Sequence, residues 1–178
     1  IKQHPYQTEY EQMLYPTVRI TAGFSTGSGV VISNTNYTNG DEWTRIDILT
    51  AAHVVEDETT VNIELYNSAL ITGTVVITDT AKDLALIRVI RSIRDIRVIY
   101  SAPLVPESYT AYLFTPIYTV GCSLGLLPRP SQGIISVIDK DHWEITAPIL
   151  PGNSGGPVYD GRTYEVIGIA VWVKLYNG

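Results

Sequence analysis

The chain has 178 residues, 45% hydrophobic and 17% charged, which suits one good-sized domain or two small subdomains sharing a core and sets disorder aside. A formal net charge of −6 gives little attraction for phosphate backbones, so nucleic acid is not expected as a partner. No apolar run approaches the roughly 20 residues of a membrane helix, so no membrane span is expected; "VIGIAVWV" is among the longest.

In chain order, residues 1–12 are polar and read as an arm or a short helix. Strand signals follow, rich in Val, Ile, Thr and Tyr and often alternating apolar with polar. They are "TVRITAGF" (17–24), "SGVVIS" (28–33), "RIDILTA" (45–51), "TTVNIELY" (59–66), "ITGTVVITD" (71–79) and "LALIRVI" (84–90). Turn chemistry separates them at Gly27 to Gly29, in "NTNYTNGDE" (34–42) and in "YNSA" (66–69). The arginines at 88, 91, 94 and 97 alternate with Val, Ile and Tyr and read as a solvated strand edge or loop. A proline-bearing linker, 100–110, precedes a second strand run: "YTAYLF" (109–114), "YTVGCSL" (118–124), "GIISVID" (133–139), "HWEITA" (142–147), "GPVYD" (156–160) and "YEVIGIAVWV" (164–173). Two runs of about six short strands, with no long helical period, predict an all-β protein of two sheets or barrels.

The single cysteine, Cys122, rules out an internal disulfide framework and reads as a small buried apolar residue. "NYT" at 36–38 fits a glycosylation acceptor, a triplet common by chance. The chain begins at Ile1, without Met, so a processed or trimmed form is expected and a removed signal peptide stays open. Composition does not assign the compartment; an extracytoplasmic one, secreted or periplasmic, is slightly favoured.

"PGNSGGPVY" (151–159) is either a tight turn between strands or a turn that presents Ser154 as a nucleophile. Acyl transfer by serine needs an imidazole beside the hydroxyl, a carboxylate to orient that imidazole, and N–H donors for the oxyanion. Of the three histidines, His4 lies in the polar arm and His142 in the charged turn "KDHWEI". His53 follows an apolar strand in "ILTAAHVV", behind two alanines. Asp83 in "AKDLALIRV" opens a run in which Leu84, Leu86 and Val89 read as buried, and a charge at such a place is costly unless paired. Taken alone, Asp83 reads equally well as a strand-capping turn, while Asp79 and Asp95 have more polar or exposed surroundings and rank lower. The G-x-S-x-G elbow of α/β-hydrolases needs a histidine after the serine, and none follows Ser154. The order His53, Asp83, Ser154 is the chymotrypsin order. It puts the first two in one strand run and the serine in the other.

"TAAHV", "DLALI" and "GNSGGPV" resemble the three signature blocks of chymotrypsin-like (PA clan) serine proteases, closest in flavour to the HtrA/Deg-type protease domain. "GSGVVIS" (27–33), "TVGCSLG" (119–125) and "QGIISVI" (132–138) agree, so the resemblance spans roughly residues 20 to 172. It implies two six-stranded antiparallel barrels, 13–99 and 111–178, with the active site in the cleft between them. It implies a serine endopeptidase acting on peptide or unfolded protein without cofactor or metal. Ser154 would be the nucleophile, His53 the general base and then acid, and Asp83 the orienting carboxylate. The turn at Gly152, Asn153 and Ser154 would carry the oxyanion hole. Activity should rise with pH as His53 gives up its proton.

Two departures shape the expectations. Digestive trypsins carry Asp just before the serine and another six residues before it; here these are Asn153 and Pro148. Activation by insertion of Ile1 is therefore not expected. A pocket lined by Pro148, Ile149, Leu150, Ile169, Ala170 and Val171 carries no charge and predicts cleavage after uncharged, small-to-medium apolar residues. The sequence stops at Gly178, before any closing helix or PDZ module of the resembled proteins, so a minimal protease and a longer chain both stay open, as do regulation and oligomeric state. The alternatives are a catalytically silent protease-like domain that binds peptide or serves a structural role, and an esterase with the same triad.

Overall fold

A computed structural model describes residues 4–37, 42–92 and 98–171. The first half is a closed antiparallel barrel of β1 (Thr17–Ala22), β2 (Ser25–Tyr37), β3 (Trp43–Thr50), β4 (Thr60–Glu64), β5 (Leu70–Asp79) and β6 (Leu84–Ser92), in the order β1-β2-β3-β6-β5-β4. Period-two alternation fills it. Val18, Ile20, Ile46, Ile48, Ile63 and Ile87 are all fully buried, each stabilising by roughly 1.5–3 kcal/mol. On β6 the inward residues are Ala85, Ile87 and Val89, whereas Leu84 and Leu86, expected to be buried, are half-buried on the alternate face.

Gly27 to Gly29, expected as a turn, lie inside β2, and the turn between β1 and β2 falls at Gly23–Phe24 instead. The glycine at 27 serves close approach: a Cβ there would meet the Val54 side chain at 2.6 Å and Ser154 O at 3.0 Å. The β2 backbone of one half thus lies against the serine turn of the other.

The second half is a half-barrel of five antiparallel strands among the described residues. These are β7 (Pro116–Gly121), β8 (Arg129–Ile138), β9 (Trp143–Ile145), β10 (Pro157–Asp160) and β11 (Val166–Ile169), in the order β11-β10-β7-β8-β9. Together the halves pair a closed six-stranded barrel with a five-stranded half-barrel. "YTAYLF" is not a strand. Thr115 turns back to Tyr112 O through both its N–H (3.3 Å) and its hydroxyl (2.8 Å), and Phe114 takes φ +69°, so local turn bonds override β-propensity. The Tyr109 hydroxyl meanwhile donates to the buried Asp160 carboxylate at 2.8 Å.

The linker is stitched to both halves. Ala102 N donates to Val31 O in β2 at 2.8 Å, and Val166 N of β11 donates to Pro103 O at 2.8 Å. Before β1 the chain forms a short helix, α1 (Gln7–Glu9), continued by a wider turn over Tyr10–Leu14. Its carbonyl at the buried Met13 accepts from the Tyr159 hydroxyl and from Thr17 Oγ1, both at 3.0 Å. Arg88 and Arg91 lie on β6, with Arg88 paired to Asp47 at 2.8 Å. Ile1, Thr38 of "NYT", Arg94, Asp95, Arg97, Trp172 and Val173 lie outside the described residues.

Candidate active site

Each half contributes one part of the site. After β3 the chain enters a single helical turn, α2 (Ala52–Val55), whose N-cap is Ala51. A first-turn N–H has no partner within its own helix. For His53 the Asp83 carboxylate supplies one: Asp83 Oδ1 accepts from His53 N at 2.9 Å, and Asp83 Oδ2 lies 2.6 Å from His53 Nδ1. One carboxylate grips both the backbone and the ring of the same residue. Asp83 takes φ +54° to do so, a left-handed conformation that side chains rarely adopt. The His53 side chain is 47% exposed and that of Asp83 29%, so the ring stands at the surface with its Nε2 edge unburdened by this pairing.

The turn from Pro151 to Gly156 faces that helix. Gly155 has φ +86°, and a Cβ on it would overlap Ser28 O and Thr50 Oγ1 and reach 3.1 Å from Ala51 N, two residues before His53. Every carbonyl from 151 to 154 is engaged. Pro151 O accepts from Leu124 N (2.7 Å), Gly152 O from Ser28 Oγ (2.7 Å), Asn153 O from Gly156 N (2.9 Å) and Ser154 O from Ser28 N (2.8 Å). The N–H groups of Asn153 and Gly155 are engaged as well, with Leu150 O (3.0 Å) and Ala170 O (2.7 Å). Among the described residues, Gly152 N and Ser154 N make no hydrogen bond within the protein. Two donors in one turn thus remain for a ligand. No hydrogen bond joins His53 to Ser154 among the described residues; the two are linked through Ser28, Thr50 and Ala51.

The expected pocket residues fall on two sides of the turn. Pro148 to Leu150 lead into it, Pro148 and Leu150 exposed and Ile149 half-buried. Ile169, Ala170 and Val171, all half-buried, run beside it, with Ala170 bonded both ways: its O accepts from Gly155 N and its N donates to Gly156 O at 2.9 Å. Asn153 is buried, and its side-chain Oδ1 accepts from Ser123 Oγ at 2.7 Å. Cys122 is fully buried, and burial pushes its thiol up to about 11, which keeps it protonated at neutral pH. His142 sits beside Glu144 of β9 at 3.7 Å, and Asp79, the last residue of β5, accepts from Lys82 N. Among the described residues no three His, Cys, Asp or Glu are grouped to hold a metal ion.

Sequence reading missed Ser28, Thr50 and Ser123, whose hydroxyls anchor the turn and its approach. The available signal was "GSG" within an apolar strand: a small polar residue buried in such a strand must find partners.

Comparisons with known proteins bear on the family and the fold. Residues 27–169 match the family described as "Trypsin-like peptidase domain". A protein of Staphylococcus epidermidis named "Serine protease HtrA-like" is 34% identical over 170 residues, which cover 85% of this chain and 27% of that protein. A protein of the same name from Staphylococcus aureus is 32% identical over 161 residues, covering 80% of this chain and 19% of that protein. The chain thus spans less than a third of the length of these relatives. A solved structure, "Crystal structure of the serine endoprotease from Yersinia pestis", superposes with a TM-score of 0.77 over 98% of this chain and 60% of that one. At 21% identity that likeness speaks to the fold alone. By its sequence match over residues 27–169, this chain belongs to the trypsin-like peptidase domain family.

Proposed function

We propose that the chain is a serine endopeptidase that hydrolyses peptide bonds through an acyl-enzyme, with Ser154 as nucleophile, His53 as general base and acid, and Asp83 as the carboxylate that orients the ring. The observation that carries this reading is the double grip of Asp83 on His53, which engages Nδ1 at 2.6 Å and leaves Nε2 as the ring nitrogen to face a hydroxyl. Such hydrogen bonds often tighten only when substrate binds.

In the forward step Ser154 Oγ forms a bond to the scissile carbonyl carbon as its proton passes to His53 Nε2. Charge moves onto the carbonyl oxygen, where Gly152 N and Ser154 N are the two unspent donors of the turn. Loss of one such donor raises a barrier by about 2.7–4 kcal/mol. The imidazolium next to the Asp83 carboxylate then gives its proton to the leaving amine. Water, deprotonated by the same ring, attacks the acyl-enzyme and frees Ser154.

The flanking segments 148–150 and 169–171 carry no charged side chain, which supports cleavage after uncharged, small-to-medium apolar residues. Incubating wild type and Ser154→Ala with a peptide library tests both parts. The reading expects cuts after residues such as Ala, Val or Leu by wild type and none by the variant. Binding without any cut would favour a silent peptide-binding domain, and preferred cleavage after Arg or Lys would contradict the specificity.

A further inference from the structure

Ser28 is fully buried in β2, and every polar group it has is committed to, or beside, the turn that carries Ser154. Its N–H donates to Ser154 O at 2.8 Å. Its hydroxyl donates to Gly152 O at 2.7 Å and accepts from Cys122 N at 2.8 Å. Its carbonyl accepts from Thr50 Oγ1 at 2.7 Å, and Thr50 is the residue from which the chain turns into α2 and His53.

A peptide unit is planar, so holding its oxygen fixes the direction of its N–H and limits the torsions on either side. The carbonyls of residues 152 and 154 are the two that Ser28 holds. They belong to the peptide units alternating with those that carry the unspent donors Gly152 N and Ser154 N. Gly152 sits at φ +93°, and glycine can rotate there with little steric resistance. Without the hydroxyl, the half-buried Gly152 O and the buried Cys122 N would both lose their partner.

We propose that Ser28 is a positioning residue for the oxyanion donors: a first-barrel hydroxyl that fixes the angle of the second-half turn while touching no substrate itself. This rests on the triad reading above.

The test is steady-state kinetics on the full chain with a cleavable peptide, comparing wild type, Ser28→Ala and Ser28→Cys, with Tm measured for each. Ile63→Ala, a cavity in the first-barrel core on β4 that touches none of the hydrogen bonds of the turn, serves as the stability control. For both Ser28 variants kcat should fall roughly tenfold to hundredfold, as for a donor displaced by about an ångström, with KM within about twofold. Affinity for a peptide boronate should fall with kcat, while affinity for the product peptide holds. Ile63→Ala should lower Tm and leave kcat of the folded protein intact. Folded Ser28 variants with wild-type kcat, or with KM and kcat changed together, would overturn the inference, as would failure of both to fold. A wild-type chain that hydrolyses nothing would overturn the triad reading itself, and this inference with it.

Discussion

Asp83 holds a left-handed backbone angle that costs a non-glycine residue about 1–2 kcal/mol. Its carboxylate meets two nitrogens of His53 in return. Strain of this kind persists where the surroundings over-determine the conformation, and here the contact is to the imidazole of the proposed triad. In Asp83→Asn the new amide must turn a donor toward either His53 N or Nδ1, and turned toward the ring it favours the wrong tautomer. Loss of kcat by roughly 10³- to 10⁴-fold is expected, with the fold retained by circular dichroism. A variant with kcat within tenfold of wild type would remove Asp83 from the mechanism. At the same scale, Cys122 packs against the turn through its backbone but has no route to reactivity, since burial keeps the thiol protonated.

Elements were largely legible from residue order. Eleven of the twelve expected strands are present, because β-branched residues in period two leave a local trace. The exceptions share a cause. The segment 109–114 has strand-like composition, but Thr115 and Tyr109 spend their side chains on turn and long-range bonds. Gly27 and Gly29 look like turn residues, yet they are small because other elements press on that stretch of β2. The triad candidates were readable from their order, whereas Ser28 was not: its hydroxyl partner Gly152 lies 124 residues away, and no local pattern announces such a pairing. The docking of the N-terminal helix is equally non-local. It rests on the fully buried Tyr159, whose hydroxyl reaches Met13 O and whose phenol is pushed far up by burial, so it stays protonated across ordinary pH. Tyr159→Phe should cost about 0.5–1.5 kcal/mol in urea unfolding. The low end of the range for a lost buried partner applies because Thr17 Oγ1 still serves Met13 O. An unchanged unfolding midpoint would mean that this bond does not hold the segment.

Across the whole molecule, a second polar network shares no hydrogen bond with the proposed catalytic one. Asp160, at the end of β10, is fully buried and gathers Tyr109 from the end of the linker and Arg162 from the turn before β11. Burial alone would push its carboxyl up. The side-chain and backbone donors of Arg162 and the Tyr109 hydroxyl outweigh that and hold it at about 2, below the ordinary 3.8. A carboxyl lowered on folding stabilises the native state above its unfolded value and loses that contribution as pH falls through the folded one. On the order of 2 kcal/mol should therefore disappear between about pH 4 and pH 2. The difference in unfolding free energy between wild type and Asp160→Asn should shrink over that window; a constant difference would contradict the assignment.

The central claim is that two half-structures meet so that Ser154 becomes a nucleophile. Its most direct measurement is the site of covalent labelling by a fluorophosphonate, read by intact mass and peptide mapping of the folded chain at neutral pH. A single adduct on Ser154, lost in His53→Ala and not in Tyr159→Phe, is the predicted result. Folded wild-type protein that takes up no label, or carries it on a residue other than Ser154, would contradict the account.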